Sequence, residues 1–521
     1  MHHNLLTHRL IRTTSGSFSL PGLLSALVRD EVDGFPALRP HQGPALHMFL
    51  VQLGAMAMRR AGLGDPPSDE EAWRKLLRSL TPGFADDEPW HLIVEDWTKP
   101  AFMQSPVPAD MKLSNPVPTP DALDMLITSR NHDLKQTIAR QAEPEDWFFA
   151  LISLQTMEGY GGKGNQGIAR MNGGSSSRPL LSLAPLPATV KGTTPRLGTR
   201  FRRDVMVLLK TYEAQLEQSE YDADGGIGLT WLEPWPEGEQ LQIRDLDIWF
   251  IEVCRRIRLT VRDDCISAVK GNSAAARINA RQLNGALGDP WAPVHKVDRK
   301  SLTLAGRDFD YRIITELLFS GDWEIPLLAR LADVDVRQPM ALVAEAISRG
   351  NSKTEGFKSR VLPISSRIAQ AFGTRQADLN ELAKAQVEAI SSFAKALGNA
   401  LSLLAAKGDR ERRNKDHYGF ARAAQDHFTR AADIIFFDHL WARFKAQERG
   451  QAELEIEERR WAEVLAKHAR SAFRDALPTV PCSGIYRARA EARAERAFEG
   501  AIRHHFPDLI SRAQRETEHA G

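Results

Sequence analysis

Near residue 370 the chain changes character, and the change limits what its second part can become. Beyond that point Gly and Pro are rare, while Ala, Glu and Arg rise. Four stretches, 377–407, 410–446, 451–476 and 484–506, place apolar residues at helical spacing. Their breaks fall at Gly408, near Gly450 and at Leu477-Pro-Thr-Val-Pro481. One stripe comprises Leu382, Ala385, Ala389, Phe393, Ala396 and Leu403. A broader one comprises Ile434, Ile435, Phe437, Leu440, Trp441 and Phe444. Long helices with short connections bury such stripes against one another, so 371–521 is expected to form an antiparallel four-helix bundle. The aromatic stripes read as bundle core rather than as a cofactor box.

Residues 1–370 read differently. Proline punctuates them densely, as at Pro100, Pro106, Pro108, Pro116, Pro118 and Pro120. Helices are expected over 44–60, 69–80 and 144–157. Short strands are expected over 7–11, 90–95, 242–243, 257–262 and 301–304. The run 248–261 fits helix or strand, with β-branched residues favouring strand in its second half. No internal repeat is visible. The expected fold class is α+β: a mixed α/β N-terminal domain over 1–370, then the helical bundle over 371–521. A chain of 521 residues is long enough for two or more domains.

The formal net charge is +1. There is no bulk basic signature, so any nucleic-acid contact must come from local patches. Cys254, Cys265 and Cys482 show no C-x-x-C spacing. That excludes a zinc knuckle or disulfide framework and suits a reducing, cytoplasmic compartment. The start, Met1-His-His-Asn-Leu-Leu, has no basic region leading into an apolar run, and no stretch approaches the roughly 18 apolar residues of a membrane span. Neither a signal peptide nor a membrane helix is expected.

The most distinctive local segment is Gly159-Tyr-Gly-Gly-Lys-Gly-Asn-Gln-Gly167, followed by Ile-Ala-Arg-Met-Asn-Gly-Gly174. Glycines let a backbone approach another surface closely, and successive N–H groups can line an anion-binding concavity. Lys163 and Arg170 add positive charge there. The loop is thus suited to a phosphate backbone or a groove, although a ligand-free surface loop has the same composition. Gly162, Gly164 and Gly167 satisfy G-x-G-x-x-G. That fingerprint also needs a preceding strand, a helix opening within it and an acidic residue about 20 positions on. Here 146–157 reads as helix, Ser175-Ser-Ser-Arg-Pro179 follows, and the acid is missing. Lys163 is followed by Gly164 rather than Ser or Thr, so the P-loop pattern fails as well.

Catalytic constellations are weak. His132-Asp133 would need further ligands to form a metal phosphohydrolase centre. His417, His427 and His439 lie on one expected helix but off i, i+4 spacing, so they face different directions. His504 and His505 are adjacent and diverge, and G-x-S-x-G is absent. No metal, cofactor or catalytic residue is expected.

Cationic stretches set among small residues are better supported. Lys270-Gly-Asn-Ser-Ala-Ala-Ala-Arg277 with Arg281 is one. Arg349-Gly-Asn-Ser-Lys-Thr-Glu-Gly356, with Lys358 and Arg360, is a second. Residues 191–203, with Lys191, Arg196, Arg200, Arg202 and Arg203, form a third. Arg and Lys among Gly, Ser and Asn suit phosphate contacts, and each stretch also fits an exposed polar loop.

The order of these motifs carries a resemblance. Ala101-Phe-Met-Gln104 comes first, then Ser129-Arg-Asn-His-Asp-Leu-Lys135, the glycine loop, and Ser273-Ala-Ala-Ala-Arg277. Asn284-Gly-Ala-Leu-Gly-Asp-Pro-Trp-Ala-Pro293 and 349–356 follow, and the helical region closes the series. Across nearly its whole length the chain resembles the CasA family, the large subunits of type I-E CRISPR Cascade surveillance complexes.

The resemblance implies a non-catalytic subunit that recognises the protospacer-adjacent motif in double-stranded DNA through the minor groove. It would start strand separation and R-loop formation, and help recruit a target-degrading helicase–nuclease. Guide RNA then reads the sequence. Implied partners are target DNA, crRNA and the backbone, crRNA-end-binding and small subunits. By resemblance Gly159, Tyr160, Gly161, Gly162 and Lys163 form the DNA-binding glycine loop. Lys270, Arg277 or Arg281 would serve as the cationic finger. Asn351, Ser352 and Lys353 would form a wedge at a hairpin tip, although the family commonly carries Gln there. Asn131, His132 and Lys135 would lie in a loop that docks on the crRNA end of the complex. The cysteine cluster that holds zinc in some members is missing here. Two other readings stay open: an enzyme that binds a nucleotide or phosphate substrate at the glycine loop, and a scaffold that never touches DNA.

Overall fold

The computed structural model describes residues 3–124, 126, 142–173, 177–187, 194–262, 264–335, 338–350 and 353–507. The chain separates into two compact units. One comprises Met1–Phe309 and Asp322–Gln370, the other Asp310–Gly321 and Ala371–Gly521. The first mixes helices with several small sheets, and the second is helical. The fold class is α+β.

In the first unit, helix Gly43–Arg60 runs through the core and buries Leu46, Phe49, Leu50 and Leu53. Helix Glu70–Ser79 begins where the Asp69 carboxylate accepts from Ala72 N (2.8 Å) and buries Trp73, Leu76 and Leu77. A side-chain cap of this kind contributes about 1 kcal/mol. Helix Pro144–Met157 occupies the span its apolar run implies. All three share one core with Trp90, Trp231, Trp249 and Trp291.

The strands depart from expectation. Residues 248–261 form two strands rather than one: Leu246–Ile251 and Arg256–Arg262 are separate, joined by 252–255. Arg256–Arg262 pairs antiparallel with Cys265–Gly271, which also pairs with Asn115–Val117. The strand expected at 7–11 is displaced to Ile11–Thr13, because a turn closes first (His8 N to Asn4 O, 2.8 Å). Residues 90–95, 242–243 and 301–304 form no strand. Trp90 ends a short 3-10 helix, Glu88–Trp90, entered through left-handed Asp87 (φ 58°). Ile243 opens a second, Ile243–Asp245, and Ser301 makes only an isolated bridge to Val294. The longest strands, Met340–Gly350 and Lys353–Ile364, form a hairpin that Leu180–Pro185 extends. From the residues alone part of that hairpin reads only as a cationic stretch, whereas the resemblance sets 351–353 at a hairpin tip.

Several buried charged groups are paired. Arg178 donates to Asp289 (2.5 Å), whose other oxygen takes Trp291 N (3.0 Å). Arg203 is held by Asp335 (3.0 and 2.9 Å). The stretch 191–203 is therefore no free phosphate-binding loop over its described part. Arg200 and Arg203 are buried in helix Leu197–Lys210, and Arg196 pairs with Asp30 (2.7 Å).

In the second unit the long helices are Gln376–Ala405, Arg422–Gln447, Gln451–Ala476 and Gly484–His505. They pack as a bundle, with Gln376–Ala405 touching each of the others. The expected helix at 410–446 is interrupted: Lys415–Gly419 is a separate short helix capped by Asn414. Helix Tyr311–Phe319, from the 310–321 insertion, packs here too, with Tyr311 stacked on Phe436 (4.8 Å). Within the bundle Arg443 donates to Leu382 O (3.2 Å) and Glu458 (2.8 Å). No described helix is long and apolar enough to cross a membrane.

His47 is buried against Asp204 (2.8 Å). Burial comes first, reinforced by the charge of Arg200, and outweighs Asp204; the imidazole's pKa falls from 6.5 to about 4. The unfolded chain therefore binds a proton that the folded chain refuses between those values. The stabilisation is complete above pH 6.5 and is lost as pH falls toward 4. We expect urea titrations to show stability falling over that window by at most about 1.4 kcal/mol per pH unit from this group. His47→Gln should flatten that slope.

Candidate nucleic-acid interface

Helix Pro144–Met157 ends at Glu158, whose extended backbone turns the chain into the glycine segment. The loop folds back on itself through backbone hydrogen bonds. Ile168 N donates to Glu158 O (3.1 Å) and closes its base. Farther out, Gly161 N donates to Asn165 O (2.9 Å), and Asn165 N donates to Gly162 O (2.9 Å). Glycine is required by geometry at 162, 164 and 167. A Cβ on Gly167 would lie 2.9 Å from the backbone of Gly159 and Tyr160, so the base closes only without one. Gly162 has φ +109° and faces open space. Tyr160 is 42% exposed. Gly161 and Lys163 are also exposed.

A helix precedes the loop and the residues described after it are not helical. The dinucleotide geometry of strand, glycine turn and helix is therefore absent.

The structure brings the 270–277 stretch beside this loop. Ser273 N donates to Gly164 O (3.0 Å), and the Gln166 amide reaches Ser273 O (3.3 Å) and Ala274 O (3.2 Å). Glu237 steadies the stretch by accepting Ala274 N (2.8 Å) and pairing with Arg256, which also donates to Asn272 O (3.0 Å). Lys270 sits on strand Cys265–Gly271 and is half-buried, so its pKa is lowered, chiefly by burial. Glu158 and Arg255 at the loop's foot act on it electrostatically.

The three finger candidates separate. Arg277 is buried, 3% exposed. Its guanidinium donates to Pro234 O (3.0 Å), Glu233 O (3.0 Å) and Thr230 O (3.3 Å) and lies over the Trp235 ring. Burial lowers its pKa to about 10. An arginine held inward by three carbonyls does not reach into a groove, which corrects the expectation for Arg277. Arg281 is exposed at the start of 3-10 helix Arg281–Leu283.

Of the wedge residues, Asn351 and Ser352 lie outside the described residues, as does the side chain of Lys353. The backbone of Lys353 opens the second hairpin strand, opposite Gly350, and the register shifts at Ser348/Arg349. Lys358 pairs with Asp308 (3.0 Å), and Arg360 donates to Phe309 O (3.0 Å). Asn131, His132 and Lys135 lie outside the described residues.

Several residues in the motifs behind the resemblance are structural anchors. Gln104 is fully buried, donates to Leu92 O (2.8 Å) and Phe102 O (3.0 Å), and accepts Leu259 N (2.7 Å). Asp289 holds Arg178. Among the described residues no group of three or more His, Cys, Asp or Glu could hold a metal ion. We expect Arg277→Ala to destabilise the fold by about 2 to 4 kcal/mol in a denaturant titration, because it orphans buried carbonyls. Arg281→Ala should stay within about 0.5 kcal/mol.

A family model for CRISPR-associated protein Cse1 matches residues 4–472. None of the curated proteins matches the chain significantly. Among solved structures, Cse1 from Acidimicrobium ferrooxidans superposes with TM-score 0.64 at 15% identity, covering 96% of this chain and 98% of that one. Thermus thermophilus CasA (Cse1) gives 0.59 at 16%, covering 96% and 99%. A chain of a CRISPR RNA-guided surveillance complex gives 0.53 at 14%, covering 95% and 99%. With the family model spanning most of its length, this chain belongs to the Cse1 (CasA) family of CRISPR-associated proteins, large subunits of type I-E Cascade.

Proposed function

We propose that this chain is the non-catalytic subunit through which its Cascade recognises the protospacer-adjacent motif in duplex DNA and begins to open it. The observation that carries this reading is the glycine loop: Tyr160, Gly161 and Lys163 are exposed, and backbone hydrogen bonds close its base behind them. Uncrowded backbone and one long cation suit a groove whose hydrogen-bond code is degenerate and whose width varies with sequence. Lys270, half-buried on strand Cys265–Gly271, and exposed Arg281 are the remaining finger candidates.

Opening the first base pair costs a few kcal/mol of unstacking. Groups occupying the vacated space offset that cost, and we assign this to Asn351, Ser352 and Lys353 between the two long strands. The exchange of DNA pairs for RNA–DNA pairs is nearly balanced, so a small local bias decides whether it starts. Residues around Asn131, His132 and Lys135 dock on the crRNA end of the complex. The helical bundle meets the small subunits, and the assembled complex recruits a helicase–nuclease in the cytoplasm.

Gly162→Asp tests the reading. The backbone there has φ +109°, and the new carboxylate would project into open space where a phosphate backbone would lie. We expect the assembled ribonucleoprotein to lose at least about tenfold in affinity for a duplex target. Affinity for the same target without its complementary strand should hardly change. Equal loss on both targets would mean an assembly defect and would count against groove reading. Lys353→Ala should slow R-loop formation in stopped-flow opening measurements; an unchanged rate would remove Lys353 from the wedge.

A further inference from the structure

The connector 252–255, between strands Leu246–Ile251 and Arg256–Arg262, lies directly behind the glycine loop and grips it at two points. The Glu252 carboxylate accepts Ala169 N (2.8 Å) and Arg170 N (3.3 Å), on the side where the chain leaves the loop. The Arg255 guanidinium donates to Gly159 O (2.8 Å), on the side where the chain enters it. Both side chains are buried, with residue exposures of 4% and 6%.

The connector is itself fixed by one residue of the helix that feeds the loop. Gln155 is fully buried, and its carboxamide makes four hydrogen bonds. The oxygen accepts Cys254 N (2.9 Å) and Arg255 N (2.8 Å), while the nitrogen donates to Arg255 O (3.0 Å) and Met103 O (2.8 Å). Thr230 Oγ1 accepts Val253 N (2.9 Å). Every residue of the connector is thereby tied. The circuit runs from helix to amide to connector, and from there to both feet of the loop, with no exposed member.

We propose that Gln155, Glu252 and Arg255 are positioning residues: they set the height and pitch at which residues 160–166 stand above the surface, and so decide whether the loop reaches a groove. This inference rests on the groove-reading role of the loop. None of the three needs to touch nucleic acid. Their contribution is preorganisation, which lowers the ordering cost of binding without adding a contact. The buried carboxylate also matches the loop's needs chemically. Two adjacent N–H groups converge on one anion, and a neutral amide in its place can accept only one of them.

The test uses the assembled complex with its guide RNA and three variants. Glu252→Gln keeps the volume and breaks one N–H contact. Arg255→Met keeps the length and loses the donor to Gly159. Arg255→Lys retains a cationic donor. We expect Glu252→Gln and Arg255→Met to weaken duplex-target binding about tenfold. Both should leave binding of a target without its complementary strand within about twofold. Amide hydrogens of 159–170 should exchange faster in both, while exchange in helix Gly43–Arg60 stays unchanged. Arg255→Lys should recover most of the loss. Unchanged duplex affinity and loop exchange, in a complex where Gly162→Asp still weakens duplex binding, would overturn the positioning role and spare the groove-reading role. Insensitivity of duplex binding to Gly162→Asp as well would overturn both. Equal loss on both targets, or faster exchange throughout the first unit, would reduce the three residues to ordinary core.

Discussion

A single buried carboxamide is the point on which the footing of the glycine loop depends. Gln155 is the one carboxamide on helix Pro144–Met157, whose buried residues are mostly apolar, and it satisfies the backbone of a connector with no ladder of its own. Backbone N–H groups left unpaired at such depth would cost about 1–3 kcal/mol each. One neutral side chain satisfies two of them and a carbonyl besides, with no charge to desolvate. Glu252 and Arg255 can then be spent on the neighbouring loop instead of on their own strand ends. Cys254, pushed up to about 11 by burial, is an inert part of the same packing.

The same economy recurs around the first unit. Gln104 closes a turn against strand Arg256–Arg262 through the amide chemistry that Gln155 uses one layer away. Asp289 holds buried Arg178, and Asp335 together with Asp204 holds buried Arg203. Breaking such a pair is costly because it leaves an uncompensated charge in a medium of low polarizability. Motif residues behind the family resemblance are in part structural framework.

The helices were legible because their punctuation is local. Residues 451–476 stand as read, since Gly450 at φ +131° and Leu477-Pro mark both ends. The resemblance set 351–353 at a hairpin tip, but the strands Met340–Gly350 and Lys353–Ile364 were not legible from the residues themselves: Met340-Ala-Leu-Val-Ala-Glu-Ala-Ile347 is apolar on both faces and alanine-rich, so it lacks the alternation that announces a strand. Arg277 misled for a different reason. It follows Gly, Asn, Ser and Ala, which spell an open loop, and only carbonyls more than forty residues earlier draw it inward. Glycines and exposed cations of the loop are conspicuous in sequence, whereas Gln155 is not. Its one available signal is a lone amide on a helix that buries nearly every other side chain, a pattern that marks a core obligation but not which backbone it serves.

Charge in this protein is divided between two kinds of surroundings. Arg178, Arg203 and Arg255 are enclosed with their partners, beyond the reach of mobile counterions. Lys163 and Arg281 stand in solvent, where the field of a charge fades within about 10 Å at 0.1 M salt. Ionic strength therefore acts on the two populations separately. Added salt leaves the architecture intact while dissolving whatever grip the outer cations exert on a polyanion, so the strength of that grip can be tuned without loosening the fold that presents it.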